Sequence, residues 1–201
     1  MIKKAEEDAL LWSRFKSGDR NAFAALYQRY AIPLIAYGVR LCPDRDQLKD
    51  QIQELFVELW NSRSNLADTD SVKFYLFKAL RYKLIRLEKR REAKMRAFHL
   101  AADISGQFQE DSVETVLMNK ETHESHMALL RSAIRGLSLR EQEVIQLRFY
   151  QGFTNEQIAE LMCMNYQSAS NLLYRALCRL KDIIKIPAVT ASFLACSLLI
   201  S

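Results

Sequence analysis

The sequence is poor in residues that interrupt helices and in residues that hold metal ions. Its 201 residues include only 5 glycines, 3 prolines and 3 histidines. A β-rich fold with many tight turns needs more glycine and proline, so a mostly helical fold is expected. The four cysteines form no CxxC pair and have no histidine nearby, which argues against a zinc site or a disulfide framework. Each lies in an apolar run and is interpreted as a small buried side chain: Cys42, Cys163, Cys178 and Cys196. We therefore expect no metal and no cofactor.

The sequence also lacks the features of a secreted or membrane protein. Its first residues, MIKKAEEDALL, carry acidic side chains and no apolar segment of the kind found in signal peptides. The uncharged C-terminal tail, residues 186–201, is shorter than the about 20 residues of a membrane span. A cytoplasmic protein that is not itself a membrane protein is expected.

Positive charge is concentrated in one segment. The formal net charge is +5, but residues 73–96 alone contain ten basic and two acidic side chains, so the rest of the chain is net acidic. A block of this kind forms a patch, and a basic patch is compatible with a nucleic-acid partner.

Helical periodicity dominates the chain and is lost over one long stretch, at about residues 97–124, where small, polar and acidic residues predominate. The pattern predicts an all-α protein of two small helical domains, a helical bundle and a helix-turn-helix domain, joined by a flexible linker. In the first domain, Asp19 and either Asp70 or Ser71 are expected to cap helices. The predicted segments are a first domain at 5–96, a linker at 97–124, a second domain at 125–185 and an apolar tail at 186–201.

The second domain contains a helix-turn-helix pattern. Two capping boxes, Ser138 with Glu141 and Thr154 with Gln157, mark helix starts, and Asn165 can cap the final helix. That helix has an apolar stripe on one face and short polar side chains on the other, with arginines along the flanks. Such a face can read base edges in the major groove, while the arginines hold phosphates. The alternative is a helical hairpin that only packs.

Two surfaces are predicted in the first domain. On the basic helix, Tyr75, Lys78, Tyr82 and Arg86 share a face, and aromatic rings among cations suit single-stranded nucleic acid. The alternative is a solvated basic helix. On the preceding helix an acidic residue recurs at every fourth position and forms an acidic stripe: Asp46, Asp50, Glu54 and Glu58. Such a stripe suits a basic partner. The alternative is a solvated face.

The sequence resembles the extracytoplasmic-function (ECF) group of the sigma-70 family over about residues 10–92 and 126–183. The stretch from Asp50 to Trp60, DQIQELFVELW, is similar to the family's region 2.2, and the stretch from Gly136 to Leu180 is similar to region 4. The resemblance implies a sigma factor that directs core RNA polymerase to promoters. The implied partners are the polymerase β′ clamp helices, the β flap, promoter DNA and an anti-sigma factor, which in this group is often membrane-anchored.

The resemblance, together with the patterns above, places three sets of site residues. Polymerase docking is assigned to Asp50, Gln53, Glu54, Phe56 and Trp60. Recognition of the minus-10 element is assigned to Asn65, Asp70, Lys73, Tyr75, Lys78, Arg81, Tyr82 and Arg86. Recognition of the minus-35 element is assigned to Arg140, Thr154, Tyr166, Gln167, Ser168, Ser170, Asn171, Tyr174, Arg175 and Arg179.

The sequence departs from the family pattern at several positions. Lys49 stands where an acidic residue is frequent, Cys163 where glycine is common in the turn, and Ser170 and Leu172 where basic residues are frequent. These departures affect the strength of the contacts and the promoter sequence, and they leave the expected fold unchanged.

Two other functions fit parts of the pattern. A free-standing helix-turn-helix regulator would bind an operator without polymerase, usually as a dimer on a palindrome. A helical adaptor without a DNA role would tolerate charge reversal at Arg81, Arg86 and Arg175. The apolar tail is hypothesised to pack on this chain or on a partner, and the alternative is a frayed terminus.

Overall fold

The computed structural model of the chain describes residues 2–102 and 130–184, with side chains at 6–96 and 130–183. Every regular element in these ranges is helical, which confirms the predicted all-α class. The chain divides into two compact units, residues 1–110 and 111–201. Residues 103–124 of the predicted linker and the tail 186–201 lie outside the described residues.

Within residues 2–102, four helices and one 3-10 turn form the N-terminal unit. Asp19 and Asp44 cap α2 and α3 by accepting backbone N–H groups of the first turn. Ser71, and not Asp70, caps α4, since its hydroxyl accepts the Phe74 N–H at 3.2 Å. The elements are α1 (Ile2–Lys16), α2 (Arg20–Gly38), α3 (Arg45–Ser62), the 3-10 turn (Arg63–Asn65) and α4 (Val72–Ala102). The last six residues of α4 fall in the segment that composition assigned to the linker.

Aromatic packing holds the N-terminal unit together. The indole of Trp12 donates to the Ala67 carbonyl at 3.2 Å and packs edge-on against Tyr75 on α4, with ring centroids 5.3 Å apart. Close contact between α2 and α3 depends on Gly38, because a Cβ there would collide with Leu48 Cδ1. The helices therefore form one bundle around a common core.

The C-terminal unit is built from shorter helices. Both predicted capping boxes are present, at Ser138 with Glu141 and at Thr154 with Gln157. The sequence did not predict the π turn after the first of these helices, in which the Gln151 N–H donates to the Gln146 carbonyl at 3.1 Å. The elements are α5 (described at 130–135), α6 (Leu139–Ile145), the π turn (Gln146–Tyr150), α7 (Asn155–Leu161) and α8 (Tyr166–Ile184).

The turn between α7 and α8 has the geometry of a helix-turn-helix. The Met164 N–H donates to the Ala159 carbonyl at 2.9 Å, and Asn165 caps α8 by accepting the Ser168 N–H at 2.7 Å, as predicted. Cys163 has a φ of 53°, a left-handed conformation that costs a residue with a Cβ more than it costs glycine. Its side chain is exposed, so the expectation that each cysteine is buried is wrong here, because the turn directs this side chain outward.

No helix within the described residues is long and apolar enough to span a bilayer.

Candidate functional site

The acidic stripe of α3 is exposed along its whole length, as the sequence predicted. Two of its carboxylates lie against α4, where the Lys83 ammonium is 2.7 Å from Glu58 and 3.5 Å from Glu54. At the start of the helix, Asp46 pairs with Lys49 at 2.9 Å. Asp50, between these pairs, makes no ion pair with any described residue, so its charge is fully presented to solvent.

The predicted docking residues do not all share the surface. Gln53 is exposed beside the stripe, whereas Phe56 is 2% exposed and packs against the rings of Phe23 and Tyr27. A direct contact by Phe56 is therefore wrong, because an apolar ring on the inner face of α3 is core. Trp60 is half-buried, with the Arg63 guanidinium 4.5 Å from its ring centre.

On α4, the predicted basic and aromatic face is partly realised. Tyr82 is 68% exposed, and Lys78 and Arg86 are exposed near it. Tyr75 is half-buried against Trp12, and burial, followed by the charge of Glu58, raises the pKa of its hydroxyl. Tyr82 therefore offers an exposed ring, whereas the Tyr75 ring is only partly accessible.

Two cations of α4 are held inside or against the bundle. Arg81 is 8% exposed, which corrects its assignment to the DNA surface: a side chain at this register faces the other helices. Lys73 is half-buried, with its ammonium 5.9 Å from the centre of the Phe77 ring. In the preceding loop, Asn65 and Asp70 are both exposed and can reach a ligand.

The outward face of α8 presents polar side chains in its first two turns. Gln167 and Asn171 lie one turn apart, and the Gln167 amide donates to Asn171 Oδ1 at 3.2 Å. An amide pair of this kind can present donors and acceptors to a base edge. The other exposed residues of the predicted surface are Arg140, Thr154, Tyr166, Ser168, Tyr174, Arg175 and Arg179.

Two predicted DNA residues of α8 are engaged with neighbouring helices. Ser170 accepts the Asn155 amide of α7 at 3.3 Å, so Asn155, which the sequence did not single out, holds the two helices together. Arg179 donates to Glu141 of α6 at 2.8 Å. Both contacts fix the orientation of α8, because each joins it to a different helix of the unit.

Glu141, which accepts the hydrogen bond from Arg179, has further partners. It is 4% exposed, and its Oε2 also accepts the Ser138 N–H at 3.0 Å and the Ser138 hydroxyl at 2.7 Å. Burial alone would raise its pKa, but the hydrogen bonds from Ser138 and the charge of Arg179 together hold the pKa below its ordinary value. The residue is therefore a buried carboxylate that stabilises the fold.

These surfaces are suited to binding. The N-terminal unit offers an anionic helix face and a cationic helix with one free aromatic ring, and the C-terminal unit offers a polar recognition helix. Among the described residues, no three histidine, cysteine or acidic side chains converge to hold a metal ion.

Comparison with known families matches both units. The family model for sigma-70 region 2 matches residues 26–94, and the family model for sigma-70 region 4 matches residues 127–180. The chain is also 31% identical over 139 residues to the ECF RNA polymerase sigma factor SigL of Mycobacterium tuberculosis, an alignment that covers 67% of this chain and 73% of the relative.

Solved structures share the fold at lower identity. The sigma factor RpoE, in complex with the anti-sigma factor NepR from Bartonella quintana, is 20% identical with a TM-score of 0.59, covering 82% of this chain and 98% of that one. CnrH, in complex with the cytosolic domain of CnrY, is 16% identical with a TM-score of 0.58, covering 90% and 99%.

Proposed function

The chain belongs to the sigma-70 family as an ECF-type RNA polymerase sigma factor, and from this premise we propose which of its surfaces perform each step. A sigma factor directs core polymerase to specific promoters and helps to initiate transcription. In this proposal the chain works by binding and strand separation and carries out no covalent chemistry. A cytoplasmic location belongs to the same proposal, since polymerase and promoter meet there.

Docking on the β′ clamp helices is proposed for the exposed part of α3. Asp50, Gln53 and Glu54 carry it, with Phe56 and Trp60 supporting the helix from the core side. The support comes from exposure and charge: a row of carboxylates on one helix face steers and orients a basic partner. Asp50 is proposed as the central contact, because it keeps its charge without an ion pair.

Capture of the minus-10 nontemplate strand is proposed for α4 and the loop before it. Tyr82 can stack on an unpaired base, while Lys78 and Arg86 neutralise phosphates. Asn65 and Asp70, both exposed, are proposed to hydrogen-bond a base that leaves the stack. Lys73 and Tyr75 lie at the edge of this surface.

Recognition of the minus-35 element is proposed for the polar face of α8. Gln167, Ser168 and Asn171 are candidates for base contacts, and the exposed Arg175 is a candidate for a phosphate contact. Ser170 and Arg179 hold the helix in place. The surrounding positions complete the DNA surface: Arg140, Thr154, Tyr166 and Tyr174. The β flap is the polymerase element proposed to contact this unit.

An anti-sigma factor is proposed as a further partner, membrane-anchored as in much of the group. Two proteins of the same fold, RpoE and CnrH, are bound to their respective partners NepR and CnrY in the solved structures. Family membership supports the extension to this chain.

One observation carries the proposal more than any other: region 2 and region 4 match one chain, in family order, and the predicted docking carboxylates are exposed on the first of them. A free-standing regulator is not favoured, since it would need only the helix-turn-helix. It would leave the acidic face of α3 without a role.

The test is capture of bacterial core polymerase by the wild-type chain and by the double variant Asp50→Lys/Glu54→Lys, followed by run-off transcription. Wild-type capture with promoter-dependent transcripts, both lost in the variant, is expected. Glu88→Lys/Glu92→Lys is the matched control, because it reverses two exposed acids at the same spacing on α4 and should leave capture intact. Failure of the folded wild-type chain to bind core polymerase would refute the proposal.

A further inference from the structure

Lys83 connects the two functional helices of the N-terminal unit. Its ammonium reaches across from α4 to Glu58 at 2.7 Å and Glu54 at 3.5 Å on α3. The lysine side chain is only 15% exposed, whereas the two glutamate side chains are 54% and 58% exposed. The cation is therefore enclosed, and each carboxylate keeps a free outer edge.

The same contact lies in a groove between α3 and α4, with a volume of about 260 Å³. One wall carries Glu54 and Glu58, and the other carries Tyr82, Arg86 and Arg90. Glu54, one of the proposed docking carboxylates, thus lines one groove with Tyr82 and Arg86, two of the proposed minus-10 residues.

The physical effect of Lys83 on the carboxylates is twofold. Glu54 and Glu58 are one helical turn apart, where like charges repel, and a shared ammonium between them offsets this repulsion. An ion pair with a half-buried lysine also restricts glutamate rotamers that would otherwise be free, so less entropy is lost when a partner binds. Exposed Lys49, by contrast, pairs with Asp46 with both side chains largely in solvent, where such pairs impose little order.

We propose that Lys83 is a positioning residue of the polymerase-docking surface. It holds the Glu54 and Glu58 carboxylates in the orientation in which their outer edges accept hydrogen bonds from basic side chains of the core enzyme, and it ties that surface to the DNA-binding helix. This inference rests on the proposed docking role of α3.

The test compares two lysine-to-methionine variants of the full chain in a titration with core polymerase. Lys83→Met and Lys49→Met each remove one positive charge beside the stripe. If net charge alone governed docking, both would tighten binding to a basic partner. Positioning predicts that Lys83→Met raises Kd roughly tenfold, whereas Lys49→Met leaves Kd unchanged or lowers it.

Rescue separates positioning from a general effect on the fold. Lys83→Arg retains a cation that can bridge two carboxylates, so it should restore Kd to within about threefold of wild type. Glu58→Gln leaves Lys83 in place and removes one of its pairs; it should weaken binding by at least about threefold, whereas Glu88→Gln should not.

The outcomes distinguish the two proposals. If the wild-type chain binds core polymerase, and Lys83→Met and Glu58→Gln bind it with the same Kd as the wild type, the role of Lys83 is overturned and docking by α3 still stands. Absence of wild-type binding would overturn docking and the role of Lys83 together. Tryptophan fluorescence melting of each variant shows whether the N-terminal unit is folded. If Lys83→Met is not folded, Lys83→Gln, which keeps a polar side chain but removes the charge, takes its place in the titration, with the same expected rise in Kd.

Discussion

The two units of the chain are stabilised in different ways. In the N-terminal unit, helices of 15 to 31 residues pack through large aromatic side chains, among them Trp12, Phe15 and Phe77. In the C-terminal unit, α6 and α7 are only seven residues long, and polar contacts fix their ends. Helices this short are marginal by themselves, so the capping boxes and the Glu141–Arg179 pair take a larger share of the stability there.

The two units therefore tolerate substitution at different kinds of position. In the N-terminal unit, apolar volume is critical, and charges on the surface can serve binding without loss of core packing. In the C-terminal unit, several polar residues that would suit DNA contacts are already used to hold helices together, as Ser170 and Arg179 show. Substitution of a buried ring in one unit and of a buried carboxylate in the other should separate the two modes of stabilisation.

Phe77→Ala should destabilise the N-terminal unit by about 3–5 kcal/mol, because it removes a fully buried ring from the aromatic core. Both tryptophans of the chain, Trp12 and Trp60, lie in this unit, so urea unfolding followed by tryptophan fluorescence measures the change. Tyr82→Ala is the control, since an exposed ring contributes within about 0.5 kcal/mol. Equal effects of the two variants would show that aromatic burial is not what holds this unit.

Glu141→Gln should destabilise the C-terminal unit by about 2 kcal/mol, because the Ser138 and Arg179 donors lose their charged acceptor. The measurement is thermal unfolding followed by circular dichroism. Because both tryptophans lie in the N-terminal unit, the transition that circular dichroism detects and tryptophan fluorescence does not is that of the C-terminal unit. Arg179→Met should reproduce part of the loss, and Arg175→Met, which removes an exposed arginine from the same helix, should reproduce none.

The same carboxylate predicts a pH dependence. The pKa of Glu141 is lowered in the folded chain from an ordinary value of 4.5. Its contribution to stability is therefore fully present above that value and is lost as the pH falls through the lowered pKa. Acid titration of the C-terminal transition should be steeper for the wild type than for Glu141→Gln, and identical slopes would contradict this account.

Tyr82→Ala should leave stability unchanged but weaken binding of the polymerase–sigma complex to minus-10 nontemplate DNA by about 1–2 kcal/mol, the contribution of one stacked base. Tyr82→Phe keeps the ring and should bind like the wild type. Fluorescence anisotropy with a labelled forked promoter measures the effect. Unchanged binding by Tyr82→Ala would make this face of α4 a solvated basic surface.

Cys163→Gly should stabilise the C-terminal unit by about 0.5–1 kcal/mol, since glycine adopts a left-handed φ without the steric cost of a Cβ. The thermal midpoint is the measurement. Cys163→Ala keeps the Cβ and should bring no gain. A gain from alanine equal to that from glycine would locate the effect in the thiol and not in the backbone.

Much of the fold follows from local patterns. The helix starts at Asp19, Ser138, Thr154 and Asn165 were predictable because a capping side chain bonds to N–H groups two or three residues away. The exposure of the acidic stripe was predictable in the same way, since four-residue spacing places side chains on one helix face. These are properties of neighbours in sequence, and no tertiary information is needed for them.

The sites were predictable in type but not residue by residue. Phe56 and Arg81 were assigned to binding surfaces and lie in the core, because helix register against neighbouring helices decides which side of a helix faces inward. Two sets of ion pairs join residues 25 to 38 positions apart in the sequence: Lys83 with Glu54 and Glu58, and Arg179 with Glu141. No local spacing predicts such contacts.

The helical class, the order of the two units and the chemical character of each surface follow from the amino-acid sequence, because periodicity, capping and charge are local properties. Which charges remain available to a partner depends on how the helices pack. Asp50 keeps its charge unpaired, Glu54 and Glu58 share Lys83, and Arg179 is paired with a buried carboxylate, since helices distant in sequence bring these groups within hydrogen-bonding distance only when they pack.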